Sequence, residues 1–253
     1  VASTSYERIS DRYEQERGGQ GRATVIAEAL LPWLNRGETV LDVGVGTGIV
    51  AATLLARGVP VFGVDLSVGM LSQARDRLPG AVMQADAQAL PFSDASFEAV
   101  VFVWSLHHVG GPATALGEAR RVLRRGGRVI VVSATPDNTP DDVQALFREL
   151  DVLAPPRAVD WIGQAAESAD LRRTATGQIR IEVARSPLEL VEQIEGRLYS
   201  PLWDLDDRQW DRVVAPIMDE LRGLDEPHRQ RTSTLCSPVF VFAAKDEGVV
   251  AGC

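Results

Sequence analysis

Between residues 22 and 135 the chain alternates two kinds of apolar pattern. Short, almost wholly apolar runs read as buried strands: "TVLDVGV", "VPVFGVDLS", "AVMQAD", "FEAVVFVWS" and "RVIVVSAT". Between them lie stretches with apolar residues at helical spacing. "RATVIAEALLPWL" at 22 to 34 comes first and ends near Pro32. "GIVAATLLARG" stops at Gly58, and "VGMLSQARDRL" follows the second strand. "GPATALGEARRVLRRGG" has Pro112 in its first turn and Gly126 past its end. Strict alternation of strand and helix predicts parallel strands joined by right-handed crossovers. Ahead of this, residues 3 to 17 predict a helix with Tyr6, Ile9 and Tyr13 near one face.

The pattern changes after Pro136. Helices are predicted at 141 to 154, 161 to 173, 186 to 200 and 207 to 224, the last despite Pro216. "GQIRIEVA" at 177 to 184 alternates as a strand, and "STLCSPVFVFAAK" closes the chain as another. The fold expected is α/β: a Rossmann-like, seven-stranded, mostly parallel sheet with helices on both faces and a helical cap. One domain is expected over 1–253, with a core of about 35–136 plus 160–186 and 232–246. A helical lid would come from 3–34, 137–159 and 187–231.

Charge changes the picture little. The 253 residues carry 35 acidic and 26 basic side chains, net −9, which argues against a nucleic-acid partner. "RRVLRRGGR" at 120 to 128 reads as a helix end with cations set against the dipole. Residues 1 to 21 are polar and unlike a signal peptide, and "AVVFVWSL" is too short to span a bilayer. A cytoplasmic protein with no membrane partner is the expectation. Cys236 and Cys253 form no disulfide framework, and His107, His108 and His228 show no zinc spacing, so no metal site is expected.

"VLDVGVGTG" at 40 to 48 is a strand running into three glycines, the local pattern for a ligand lying against the main chain. A nicotinamide dinucleotide is one option. Counted from Gly44 its fingerprint meets Ile49 where the third glycine belongs; counted from Gly46 it ends in the permitted Ala51. Three acids point elsewhere. Asp42 precedes the glycines, where a pyrophosphate would be repelled and an ammonium welcomed. Asp65 closes the second strand and can take both ribose hydroxyl protons. Asp86, in "QADAQALPF", can accept from an exocyclic amine. The set fits a positively charged adenosyl sulfonium.

In this order and spacing the motifs resemble the class I S-adenosylmethionine-dependent methyltransferases, in particular the UbiE-like and small-molecule branch. The resemblance covers roughly residues 5 to 135, and more loosely 160 to 245. "VLDVGVGTG" looks like the first motif, "GVDLSVGML" the second, "ADAQALPFSDASFEAVVFVWSLHHV" the third and fourth, and "EARRVLRRGGRVIVV" the unit that follows. Val45 stands where a small residue or cysteine is more typical.

The resemblance implies S-adenosyl-L-methionine as cofactor and S-adenosyl-L-homocysteine as its product. It implies Gly44 and Gly46 against the methionine part and ribose, and Asp42 near the amino group. Asp65 would hold the ribose hydroxyls, with Leu66 and Met70 against adenine. Asp86 and the Ala87 amide would read the adenine edge. The Phe102 carbonyl would accept from the ammonium, Tyr13 would close over the cofactor, and Arg22 would reach its carboxylate.

His107 and His108 follow the fourth strand beside the expected methyl and are the candidate catalytic bases, one of them facing substrate. Sugar O-methyltransferases of similar sequence pair such a histidine with an aspartate near the end of the fifth strand. Ser133 stands there instead, which weakens a sugar acceptor. Phe147, Trp161, Tyr199, Trp203 and Trp210 gather in the cap and suggest an apolar or aromatic small molecule, such as a secondary metabolite in antibiotic biosynthesis. Methylation of O, N or C stays open. The alternatives are an NAD-dependent oxidoreductase, a non-catalytic cofactor-binding regulator, and a protein or nucleic-acid methyltransferase.

Overall fold

The structure is a computed structural model that describes residues 19–133, 142–153, 160–203 and 205–245. The helix expected at 3 to 17, and Tyr13 with it, lie outside the described residues.

Seven strands form one sheet in the order β3-β2-β1-β4-β5-β7-β6. Strands β1 (Val40–Val43), β2 (Val61–Asp65), β3 (Val82–Gln84), β4 (Phe97–Val103) and β5 (Leu123–Val132) are mutually parallel. β6 (Leu171–Arg185) and β7 (Arg231–Ala244) complete it, with β7 antiparallel to both neighbours. The sheet is therefore the expected mostly parallel one. β1 is buried at every position, as a central strand covered on both faces requires.

Side-chain alternation divides the core. Val129 and Val131 of β5 face one cluster, Ile130 and Val132 the other. Helices α4 (Pro112–Val122) and α6 (Trp161–Ser168) cover the first face. α1 (Gly19–Leu30), α2 (Ile49–Ala56) and α3 (Val68–Arg77) cover the second. A third cluster is separate. It joins α5 (Asp142–Arg148), α7 (Pro187–Glu195) and α8 (Ala215–Gly223) through Val143, Leu190, Ile194, Val214, Ile217 and Leu221. These helices sit in the connections from β5 to α6 and from β6 to β7, so the cap is inserted into the second half of the sheet.

Three elements differ from the sequence pattern. α4 ends at Val122, and the following "LRRGG" enters β5 through an irregularity opposite Phe97 and Ala99. Gly126 takes φ +80°, and a Cβ on Gly127 would lie 2.9 Å from the carbonyls of Glu98 and Arg124. The arginines there are paired locally: Arg121 with Glu118 and Asp94, Arg124 with Glu98, and Arg128 with Glu38. β6 starts at Leu171, well before the expected residue 177, because Asp170 at φ +55° turns the chain out of α6. As an edge strand it opens with three consecutive exposed residues, Arg172, Arg173 and Thr174, which break the alternation seen further along. Pro216 is accommodated by a π-helical turn at Trp210–Val214, where the Ala215 N–H donates to the Trp210 carbonyl.

Among the described residues no helix is long and apolar enough to cross a membrane.

Candidate functional site

The carboxyl ends of β1 to β4 open into a cleft. This is where an open α/β sheet places ligands. Gly44, Gly46, Asp65, Leu66, Met70, Asp86, Ala87 and His108 line it together.

The glycine loop leaves β1 by a tight turn, with the Gly44 and Val45 amides donating to the Val64 carbonyl at 2.8 and 2.9 Å. Gly44 has φ +79°, and a Cβ there would meet the Ser105 Cβ at 2.4 Å. Ser105 is held in place by its hydroxyl, which donates to the Val43 carbonyl at 2.5 Å. Gly44 is thus required by the protein's own serine. Gly46 differs: its φ of +57° favours glycine, while a Cβ would meet nothing within 4 Å. That position faces open space in the cleft.

Asp65 ends β2 astride the loop. One oxygen accepts from the Gly46 amide and the other from the Ser67 amide, both at 2.9 Å. A carboxylate oxygen can accept more than one hydrogen bond, so holding the loop does not by itself exhaust Asp65. Ser67 caps α3 by accepting from the Met70 amide at 3.2 Å, which seats the buried Met70 and the exposed Leu66 on either side. Asp86 is exposed and accepts from the Gln88 amide at 2.8 Å, folding the strand end into a turn. The same loop is anchored from α4: Glu118 accepts from the Leu90 amide, and Arg121 donates to the Leu90 and Phe92 carbonyls.

Asp42 is 2% exposed, and its Oδ1 has no hydrogen-bond partner among the described residues. Burial, reinforced by the nearby Asp65 carboxylate, pushes its pKa up to about 7. It faces a second recess on the other side of the loop, shared with Gly19, Arg22, Gly46 and Trp104. A buried carboxyl with an unused acceptor fits a cationic group and would oppose an anionic one.

Phe102 is fully buried inside the sheet and paired opposite Val131. It does not line the cleft; Val103 and Trp104 hold that place. Trp104 has φ +51°, and its indole N–H donates to the Ser133 carbonyl and the Ser237 hydroxyl, both at 3.1 Å. The Arg22 guanidinium lies 3.9 Å above its ring. Trp104 thereby forms a wall between the cleft and the recess.

His107 and His108 lie in the 3₁₀ turn Leu106–His108 with ring centres 3.8 Å apart. His108 lines the cleft and His107 does not. His108 also packs beside Trp203 of the cap, ring centres 6.1 Å apart and planes within 19°. The sequence reading passed over Ser105 and Gln88. Ser105 was signalled by a small polar residue directly after a buried strand, Gln88 by its place in "ADAQALPF".

Residues 41–131 match the methyltransferase domain family. A demethylmenaquinone methyltransferase of Beutenbergia cavernae is 36% identical over 154 residues, 57% of this chain and 62% of that protein. One from Clavibacter sepedonicus is 41% identical over 108 residues, 41% of this chain and 44% of that protein. The chain thus spans about half the length of these curated relatives. Among solved structures, a putative methyltransferase from an antibiotic biosynthesis pathway of Anabaena variabilis superposes with a TM-score of 0.61 at 19% identity, over 85% of this chain and 96% of that one. The [4+2]-cyclase SpnF gives 0.59 at 18% identity, over 93% and 94%. These two show the fold alone. The antiparallel β7 departs from the dinucleotide-binding strand order, and the buried Asp42 beside Asp65 suits a cation rather than a pyrophosphate. The segment 41–131 is thus similar to a methyltransferase domain, and the curated relatives that share it are demethylmenaquinone methyltransferases.

Proposed function

We propose that the chain transfers a methyl group from S-adenosyl-L-methionine to a ring carbon of a small, planar, hydroxylated aromatic acceptor of the reduced-quinone class. The observation that carries it is that His108 lines the same cleft as Asp65 and Asp86. The names of the relatives, demethylmenaquinone methyltransferases, support the acceptor class.

The residues present fit the cofactor. Asp65 would take the ribose hydroxyls, Asp86 and the Ala87 amide the adenine edge, and Asp42 the ammonium across the loop. Val103 and Trp104, at the end of β4, stand where the sequence reading put the Phe102 carbonyl. When bound, the cofactor supplies an electrophilic methyl on a sulfonium. His108 would accept the proton of a ring hydroxyl, which makes the adjacent ring carbon the nucleophile. The methyl would pass to that carbon with the methyl–sulfur electron pair left on sulfur; the ring carbon would then give its proton to water while protonated His108 returns one to the ring oxygen, restoring the aromatic phenol. The remaining work of the protein is alignment and exclusion of water.

In this reading the sheet core binds cofactor and the helices between 187 and 231 form the acceptor lid. A secondary-metabolite acceptor and O- or N-methylation remain the other outcomes of the same experiment. Purified protein is incubated with methyl-labelled cofactor and a reduced naphthoquinone unsubstituted beside the hydroxyl. A labelled product with a new carbon-bound methyl is expected. Label on oxygen, or none on this acceptor with turnover on another class, would overturn the assignment.

A further inference from the structure

Residues 85–96 carry the chain from β3 to β4 as neither helix nor strand, and Asp86, Ala87 and Gln88 of that stretch line the cleft. A loop that reads a ligand has to be held by the elements around it. Its first end is held by the sheet, where the Ala85 N–H donates to the Asp65 carbonyl at 3.1 Å. A tight turn follows. The Ala89 N–H donates to the Asp86 carbonyl at 3.0 Å, and the Gln88 N–H donates to the Asp86 carboxylate at 2.8 Å.

The second end is held by two side chains of α4. The Leu90 N–H donates to Glu118 Oε2 at 2.8 Å. Arg121 donates through Nη2 to the Leu90 carbonyl at 2.9 Å. Through Nη1 it donates to the Phe92 carbonyl and the Asp94 carboxylate, both at 2.8 Å. Arg121 also donates to both Glu118 oxygens at 2.8 Å. An i,i+3 ion pair on a helix surface need do no more than support its own helix. This pair instead binds the backbone of another segment at Leu90 and Phe92, and neither side chain lines the cleft. Only a guanidinium fork can span two carbonyls and two carboxylates in one fixed plane.

The start of α4 meets the same turn. A Cβ on Gly111, the residue before the helix, would stand 2.4 Å from Gln88 Oε1. The Gln88 side-chain nitrogen lies 3.4 Å from the Asp86 oxygen that the Gln88 N–H already reaches. One helix thus supports the turn twice, through Gly111 ahead of its first residue and through Glu118 and Arg121 near its last.

We propose that Glu118 and Arg121 are positioning residues of cofactor recognition. By fixing Leu90 they set the turn 86–89 against the cleft, and Gln88 seated on Gly111 steadies the Asp86 carboxylate, so that adenine is told from other purines. This rests on the methyltransferase reading above and deepens it by assigning base selectivity to residues outside the cleft.

The test uses the full chain and two probes, S-adenosylhomocysteine and S-inosylhomocysteine, the second with a carbonyl in place of the adenine amine. Dissociation constants for both are measured well below the melting temperature for the parent, Arg121→Met, Glu118→Gln and Gly111→Ala, with thermal melts alongside. The parent should prefer the adenine compound by about tenfold or more, since a carboxylate that accepts from an amine repels a carbonyl oxygen. Arg121→Met should bring the two constants to within about threefold of each other. Glu118→Gln keeps an acceptor for the Leu90 N–H but weakens the hold on Arg121, so its ratio should fall between. Gly111→Ala displaces the end of a flexible side chain, so it should lower the ratio with little change in melting temperature. A lower melting temperature with the parent's ratio in Arg121→Met would show that the pair only stabilises the fold, and would overturn the proposal. Should Arg121→Met fail to fold, the parent's ratio in both Glu118→Gln and Gly111→Ala would overturn it equally. A parent that binds both probes alike overturns the proposal and leaves the methyltransferase reading standing. A parent that binds neither overturns that reading itself.

Discussion

Gly63 and Val45 are complementary: a Cβ added to Gly63 in β2 would lie 2.7 Å from Cγ2 and 2.8 Å from Cβ of Val45 in the glycine loop. Val45 is 8% exposed and packs in the core on the face of α1 and α2. The large residue in the loop is thus matched by the absence of one in the neighbouring strand.

Gly63→Ala should therefore destabilise the protein by roughly 1–3 kcal/mol through overpacking. Adding Val45→Ala should recover much of that loss, since the clash partner is removed. Chemical denaturation of the two single variants and the double variant gives the coupling energy. Additive losses would show that the contact relaxes at no cost.

Asp42 should make stability depend on pH. Its folded pKa is about 7, against an ordinary value of 3.8. Between those values the folded carboxyl keeps a proton that the unfolded chain has released. Unfolding then releases a proton, so stability falls as pH rises through that window and levels off above about 7. Asp42→Asn should remove the decline, giving a variant more stable than the parent at pH 8 and equal to it near pH 4. Thermal melts across that range check it; parallel curves for parent and variant would refute the shift.

The same carboxyl should couple cofactor binding to proton release. An ammonium placed against Asp42 favours the carboxylate, so below about pH 7 binding must expel the proton. Affinity for S-adenosylmethionine should rise with pH up to about 7 and then flatten, and Asp42→Asn should flatten it throughout. Calorimetry in buffers of different ionisation enthalpy measures the proton count directly. Binding without proton release at pH 6 would place the ammonium elsewhere.

Asp65 has two jobs in the structure, since it already accepts from the Gly46 and Ser67 amides. Asp65→Ala should weaken cofactor binding by roughly 2–3 kcal/mol, through lost charged hydrogen bonds to the ligand and a loosened loop. Asp65→Asn should keep part of the loop geometry and lose less. Dissociation constants for both variants, with melting temperatures, separate the two effects. An unchanged constant for the alanine variant would put the ribose elsewhere.

How much of this was legible in the sequence follows from which interactions are local. The runs containing Val40–Val43 and Phe97–Val103 are buried on both sides, so their apolar character marks them as strands without reference to partners. Asp65 was legible because it closes β2, Asp42 because it is the one polar residue of buried β1, and Asp86 because it follows the short β3. β6 was cut short because it is an edge strand whose outward residues face water, and its register with β7 is set by long-range pairing. Val103 and Trp104 line the cleft one or two residues beyond Phe102, because β4 continues until Trp104 turns at positive φ. That turn depends on Ser133 and Ser237, which lie 29 and 133 residues away in the chain.

The two histidines should separate cleanly. His108 lines the cleft and packs beside Trp203, whereas His107 lies 3.8 Å from it, away from the cleft lining. A base must reach the acceptor hydroxyl, so the role falls to His108 on geometry. The Ser133 backbone carbonyl accepts from Trp104, so the end of β5 supplies a clamp on the cleft wall. His108→Ala should lower kcat by roughly 10²–10⁴-fold with cofactor affinity nearly unchanged. His107→Ala should stay within about threefold of the parent in kcat and show its effect in melting temperature instead. Measuring kcat and KM for both variants from pH 6 to pH 9 decides between roles. A base variant should also lose the parent's acid-side fall in rate, which a variant that merely misplaces the acceptor would retain while raising KM. If His108→Ala stays within about threefold, the hydroxyl is deprotonated without it, and alignment beside Trp203 carries the rate.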